Sequence, residues 1–239
     1  MFHTFFYEPI YNLLALTLTY VPLHDIGTAI IVVTLIIKFI LLPLNLSQTR
    51  SQYIMKRIQK EVDAIKEKHK NNPQEAAKET MELYKREKIN PFGSIFSMLI
   101  QIPIFFALYF VFSKGLHADP SSLYSFVHFP ETLHTEAFGL FDVSKKNIVM
   151  AILAGVAQYF LAKRQTATMV TNKKPEDETF QDQFAKSMRM QIVYILPFFI
   201  AFSGSLLPSA LALYWFTSSI ITYLQDIYVR RKLAHLHTV

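Results

Sequence analysis

The chain has 239 residues, 51% of them hydrophobic, a mean hydropathy of +0.24 and a formal net charge of +6. Charged residues make up 18% and are gathered into blocks between long apolar runs, which excludes a soluble globule and indicates a polytopic membrane protein. There is no Cys, so disulfides, thiolate metal sites and a thiol nucleophile are excluded.

Residues 1–26 read as an amphipathic helix lying in the membrane interface. Phe6, Ile10, Leu13, Leu14 and Val21 share one helical face, broken by Thr17. A transmembrane reading of this segment is the alternative. Residues 27–46, GTAIIVVTLIIKFILLPLNL, form the first predicted span, since about 20 apolar residues cross a bilayer. The span carries one cation, Lys38. A central Lys costs roughly 2.5–3.5 kcal/mol on insertion, and the thirteen Leu, Ile, Val and Phe residues around it offset this with roughly 4–8 kcal/mol. Two readings of Lys38 stay open: a functional charge facing a polar cavity, or a side chain that snorkels to the headgroups.

Residues 47–92 form a polar insert with eleven basic and seven acidic residues. Ile54, Ile58, Val62 and Ile65 repeat at helical spacing, Asn71-Asn72-Pro73 marks a turn, and Ala77, Thr80, Met81 and Tyr84 form a weaker second stripe. This pattern predicts a helical hairpin. Its acids interleave with its Lys residues, which argues against nucleic-acid recognition. A second span is predicted over 93–114, an acidic loop over 115–144 and a short third span over 145–163. A polar loop with at most one short helix follows over 164–189. The fourth and fifth spans, 190–206 and 209–227, meet at a tight turn near Pro208, and 228–239 is a basic tail.

The Lys and Arg residues concentrate in the insert, the second polar loop and the tail. By the positive-inside rule these three segments are cytoplasmic, which puts the N-terminal helix outside. The fold class is therefore an all-α polytopic membrane protein with five transmembrane helices, an N-terminal interfacial helix and a cytoplasmic helical hairpin.

Several motifs recur in order along this topology: Leu42-Pro43-Leu44 after the basic residue of the first span, ELYKREKINPFGS (Glu82–Ser94), LIQIPIFFALYFVF (Leu99–Phe112), ILPFF (Ile195–Phe199) and LPSALALYWFTSS (Leu207–Ser219). Together they resemble the YidC/Oxa/Alb membrane protein insertase family, of the short five-span type, over nearly the whole chain. There are departures. The family's usual Arg is Lys38 here, which keeps the charge but loses the bidentate fork, and the family's Ser-Asn pair is Ser218-Ser219. The resemblance implies a bacterial inner-membrane insertase and chaperone for nascent membrane proteins, with membrane lipids, the Sec translocon and the ribosome as candidate partners. The short tail argues against strong ribosome tethering.

The resemblance further implies a hydrophilic groove open to cytoplasm and lipid and closed to the outside. Lys38, Ser97, Gln101, Gln158, Ser218 and Ser219 are its candidate lining, because polar groups at membrane depth face protein or water rather than lipid. Ser and Thr bonding to their own helix, or joining helices, is the plainer reading for most hydroxyls. Lys38 would attract the acidic tails of substrates. Phe105, Tyr109, Tyr214 and Trp215, with Phe106 and Tyr223, would form an aromatic slide for the apolar segment; ordinary lipid contact and interfacial anchoring is the alternative.

Catalysis is not expected. The spans hold no His, their one Asp is Asp226 at the end of the last span, and no phosphate-binding GxxxxGK[ST] loop exists. No cofactor or metal is expected. A small-solute transporter would need a pathway open to both sides, and Lys38 has no acidic partner in the spans for an ion relay.

Overall fold

Asp25 opens the first long apolar helix: its side chain accepts the amide hydrogen of Thr28 at 2.6 Å, an N-cap in the usual place. The computed structural model describes all residues except 22–24, 91–92, 114–120, 131–132, 170–179 and 237–239. The side chains of 93–98, 168–169, 180–182 and 234–236 also lie outside the described set. The described chain is mostly helical, consistent with the all-α class.

A π-helical turn, His3–Tyr7, leads into α1 (Glu8–Tyr20). The predicted helix forms, and its inner face includes the expected Ile10 and Leu14, with Phe6 and Leu13 packed against the same cluster. Tyr7, Tyr11, Leu14 and Leu18 are its buried stripe. Thr17 does not break that face, because its hydroxyl donates to the Leu13 carbonyl at 2.7 Å and is thereby satisfied. Val21 sits beyond the helix in extended backbone.

α2 (Ile26–Ile40) carries Lys38 in its last turn and stops at Leu41, ahead of α3 (Leu42–Arg57). The predicted span 27–46 is thus not one continuous helix. Pro43 explains the break: it has no N–H to donate, and its ring collides with the carbonyl four residues back, at Phe39. α4 (Gln59–Lys68) and α5 (Pro73–Arg86) follow, with Asn72 capping α5 through the Glu75 amide at 3.2 Å. α6 (Gly93–Ser113) holds Pro103 inside it. A two-stranded antiparallel ribbon, β1 (Glu136–Ala137) and β2 (Phe141–Asp142), interrupts the next loop.

α7 (Ile148–Gln165) begins at Asn147, whose carbonyl oxygen accepts from the amides of Val149 and Met150 at 3.0 and 3.1 Å. It runs past the predicted end of its span and closes in a 3-10 turn, Thr166–Met169. α8 (Phe180–Met190) passes through a π-helical turn, Gln191–Ile195, into α9 (Leu196–Leu206). The missing N–H of Pro197 accounts for the wide turn. The helix therefore starts well inside the predicted 164–189 loop, and much of the remainder of that loop, 170–179, lies outside the described residues. α10 (Ser209–Leu236) is one helix. Residues 228–236 of the predicted basic tail continue this helix.

Among the described residues, Gln183–Leu206 is long and apolar enough to cross a membrane alone. α2 and α3 taken together across their break make a second candidate, and Leu99–Ser113 is a shorter apolar helix.

The chain divides into two compact units. The first holds residues 1–41 and 99–223, the second 42–98 and 224–239, so α10 contributes to both. In the first unit, one apolar cluster joins α1, α2, α6 and the first half of α10 through Tyr11, Leu14, Ile30, Leu108, Leu211 and Tyr214. α7 packs against α9 through small residues. A Cβ on Gly155 would lie 2.8 Å from the Ala201 Cβ and 2.9 Å from the Pro197 carbonyl, so only Gly permits this approach.

The predicted acidic loop is tied to the helices by side chains. Buried Asn12 donates to the Ser122 carbonyl and accepts from the Tyr124 amide, both at 2.7 Å. Asp25, besides capping α2, accepts the Phe138 amide at 2.7 Å. Gly27 lies against Ala137, where a Cβ would come within 2.3 Å of that residue's own. Ser209 and Ala210 at the start of α10 donate their amides to Lys145 and Val143 at 2.8 and 3.0 Å.

In the second unit α4 and α5 bury Ile58, Val62, Leu83 and Ile89 between them. Burial raises the pKa of the Tyr84 phenol beside this core. Glu79 binds both Lys68 and His69, the latter at 2.5 Å, and these hydrogen bonds hold its carboxyl below the usual glutamate value.

Candidate functional site

Lys38 is 7% exposed and stands on the inner face of α2, among Val33, Thr34 and Ile37, which are also buried. Thr34, one turn earlier, donates its hydroxyl to the Ile30 carbonyl at 2.6 Å. Among the described residues Lys38 makes no hydrogen bond or ion pair. Its nitrogen is nevertheless not sealed in: the one fully enclosed side-chain nitrogen or oxygen without a partner, among the described residues, is Arg189 Nε. A buried stem with an unsealed ammonium fits a cation that keeps contact with water or headgroups, because an isolated charge in a dry apolar core is prohibitive.

The other candidates are joined by α10. Tyr214 is 1% exposed; its hydroxyl accepts a hydrogen bond from the Gln101 amide of α6 and also bonds Ser218, one turn along α10. Ser219 donates to the Gln158 side chain of α7 at 2.9 Å. α10 thus carries two polar links, one to α6 and one to α7, and Thr217, Ser218 and Ser219 are all buried. Ile37, next to Lys38 in sequence, belongs to the same apolar cluster as Ile104 and Tyr214. Among the described residues no hydrogen bond joins Lys38 to Gln101, Gln158, Ser218 or Ser219. The side chain of Ser97 lies outside the described residues.

The aromatic candidates divide. Phe105 of α6 stacks on Trp215 of α10 with centroids 5.0 Å apart and planes 9° apart, and Tyr109 continues the row 6.5 Å from Phe105. These three are half-buried, and Phe106 is exposed. Tyr214 does not belong with them: it is interior, and its hydroxyl serves the Gln101 and Ser218 link. The expectation that it faces lipid is corrected by its burial.

Sequence reasoning missed Asn12, Asp25 and Ser209 as the residues that tie the 121–146 segment down. Asp25 had a readable signal, an Asp three residues before Thr28 at the start of an apolar helix. It also missed the ion pair in the second unit. Asp226, 1% exposed, accepts from Arg230 Nε at 2.9 Å on both oxygens, and Arg230 reaches Gln52 of α3 at 3.2 Å. Asn45 donates to Gln225 at 3.3 Å, so α3 is fixed along this end of α10 by two polar contacts. Among the described residues no group of three or more His, Asp or Glu could hold a metal ion.

The fold and these sites define a helical membrane protein with internal polar links and no catalytic constellation among its described residues. The family model described as "60Kd inner membrane protein" matches residues 18–235, and the chain belongs to that family, the YidC/Oxa/Alb membrane protein insertases, which are not enzymes. A protein of Clostridium tetani named membrane protein insertase YidC is 36% identical over 217 residues, covering 91% of this chain and 86% of that one. A Fusobacterium nucleatum protein of the same name is 33% identical over 230 residues, covering 93% of this chain and 98% of that one. One from Francisella philomiragia is 32% identical over 213 residues, covering 88% of this chain but 33% of its own length.

Proposed function

We propose that this protein inserts membrane proteins into a bacterial inner membrane and assists their folding. A groove lined by Lys38, Gln101, Ser97, Gln158, Ser218 and Ser219 receives the substrate's polar tail. The names of the relatives support insertion as the activity. The observation that carries the groove reading is Lys38, buried at 7% exposure on the inner face of α2 with its nitrogen unsealed. A hydrated half-channel shortens the hydrocarbon path for a polar tail, and Lys38 draws acidic residues in that tail. At an effective dielectric near 20, two charges 4 Å apart attract by about 4 kcal/mol, enough to hold a tail transiently. The apolar segment then leaves into lipid past Phe105, Tyr109 and Trp215. Insertion is driven by the substrate's own apolar burial, so no nucleotide is needed.

The arrangement proposed is five spans, with the N-terminus outside and the C-terminus in the cytoplasm. The α4–α5 pair is then a cytoplasmic hairpin that meets substrate, translocon or ribosome. The charge asymmetry of the loops supports this orientation.

The test is complementation of insertase-depleted cells, together with insertion of a small single-span substrate with an acidic tail into proteoliposomes. Lys38→Arg should retain activity. Lys38→Ala should lower the rate roughly tenfold, the equivalent of about 1.4 kcal/mol. Lys38→Glu should abolish insertion. Wild-type rates for Lys38→Ala would remove the charge attraction from the mechanism.

A further inference from the structure

α7 and α9 run antiparallel in a register that can be followed turn by turn. Gly204 faces Ala151, Gly155 faces Ala201, and the Tyr159 and Tyr194 rings meet at 5.9 Å. One more turn, about 6 Å of helix, brings Lys163 of α7 level with Met190 and Arg189, where the π-turn hands over to α8. Two cationic residues therefore lie at the same end of this helix pair, one turn beyond a pair of tyrosines.

Neither cation is neutralised among the described residues. Lys163 lies over the Tyr159 ring, 5.7 Å from its centroid, and makes no ion pair. Its neighbour Arg164 turns away, onto the Tyr223 ring of α10 at 5.6 Å. Arg189 has the enclosed Nε without an acceptor. An N–H withdrawn from solvent and left unbonded is unfavourable, and Arg189 lacks the acceptor that such a group ordinarily has. The neighbourhood is otherwise that of a bilayer boundary: Phe160, Val156, Tyr194 and Ile195 are exposed and apolar or aromatic, as lipid-facing residues are.

We propose that this end of the α7–α9 pair binds the phosphate of an anionic phospholipid. Arg189 and Lys163 grip the phosphate, and Tyr159 and Tyr194 form the wall beside the glycerol and upper acyl chains. Guanidinium geometry suits a phosphate with two oxygens in reach, Lys adds a point charge, and amphipathic rings sit at headgroup depth. Zwitterionic lipid is disfavoured, since its choline would add a third cation to the site. The inference rests on the membrane embedding of α7 and α9, and is independent of the groove and of Lys38.

The test uses the full chain in nanodiscs of equal phosphatidylglycerol and phosphatidylcholine. The protein is released into mild detergent and its retained lipid is counted by native mass spectrometry. Wild type should carry phosphatidylglycerol in preference. Arg189→Gln and Lys163→Gln should each lower that preference by roughly fivefold, the loss of about one charge-assisted hydrogen bond, and Arg189→Lys should restore part of it. Lys232→Gln, the same charge change on exposed α10 surface, should leave it unchanged. Equal retention by wild type and both Gln variants, or an equal loss in Lys232→Gln, overturns the site. Displacement of the lipid by millimolar glycerol phosphate would overturn the lipid assignment in favour of a free-phosphate site. Lys163 is exposed, so its variant keeps the test meaningful if Arg189→Gln folds poorly. Insertion activity is not part of the readout, so this result and that of the Lys38 series can fail separately.

Discussion

Tyr214 shows how one side chain can bind two helices together inside a membrane protein. Its ring fills the cluster shared by α2, α6 and α10, and its hydroxyl pairs with Gln101 and Ser218. A glutamine amide at membrane depth has no water to fall back on, so its partner matters more than the bond's net strength suggests. Tyr214→Phe removes the hydroxyl and leaves the ring. It should lower stability by about 0.5–2 kcal/mol, the range between measured membrane hydrogen bonds and a stranded buried amide. Thermal unfolding in detergent of wild type, Tyr214→Phe and the double variant with Gln101→Leu checks this. The second substitution should recover much of the loss, because it removes the stranded amide; no recovery would mean the pair is not coupled. Gln101 could be marked in the sequence as a polar group needing a partner, but the partner could not. It lies 113 residues away on another helix, and an aromatic motif reads equally as lipid contact. Ser218 and Ser219 mark a polar stripe on α10 in the sequence, and Tyr214 stands one turn before Ser218.

At the scale of elements, most helices were legible because apolar runs, turn signals and caps coincide. The limits were proline and hidden ion pairs. Pro43 splits the first apolar run at Leu41, and Pro197 puts a π-turn before α9; periodicity does not register missing N–H groups. The buried Asp226–Arg230 pair adds i,i+4 support to α10 in the stretch that composition alone marks as a tail. The α4–α5 tip carries a pH dependence with a definite sign. Hydrogen bonds from His69 and Lys68 lower the Glu79 pKa below its ordinary 4.5. A carboxyl whose folded pKa is lowered stabilises the fold above the unfolded value, and that contribution is lost as pH falls through the folded one. A spin label on Asn71→Cys, in a chain with no native Cys, should therefore stay ordered at neutral pH and loosen only below about 4.5. In Glu79→Gln the label should be looser at neutral pH and show no further acid step. Loosening that begins near pH 6 in wild type would assign the effect to another group.

For the molecule as a whole, the consequential asymmetry lies at the two ends of the first unit. At one end the segment around β1 and β2 is fastened at separate points: Asn12 on α1, Asp25 at the cap of α2, and the backbone of Ser209 and Ala210 at the start of α10. Three helices are thus held by one loop, and each anchor satisfies backbone groups that would otherwise need water. Lys38 lies at the opposite end of α2, thirteen residues on from Asp25, or about 19 Å along the helix. If that loop is the outer seal of an insertase groove, polar reagents should reach the interior from the Lys38 end alone. The absence of native Cys makes this measurable. Thr34→Cys puts a thiol at a buried position one turn before Lys38. In oriented vesicles a membrane-impermeant maleimide should label it from the cytoplasmic side and not from the outside. Adding Asn12→Ala and Asp25→Ala removes two anchors, including an N-cap worth about 1 kcal/mol, and should open labelling from the outside while cytoplasmic labelling persists. Equal labelling from both sides before the anchors are removed would mean that the loop seals nothing, and the groove would then be a channel.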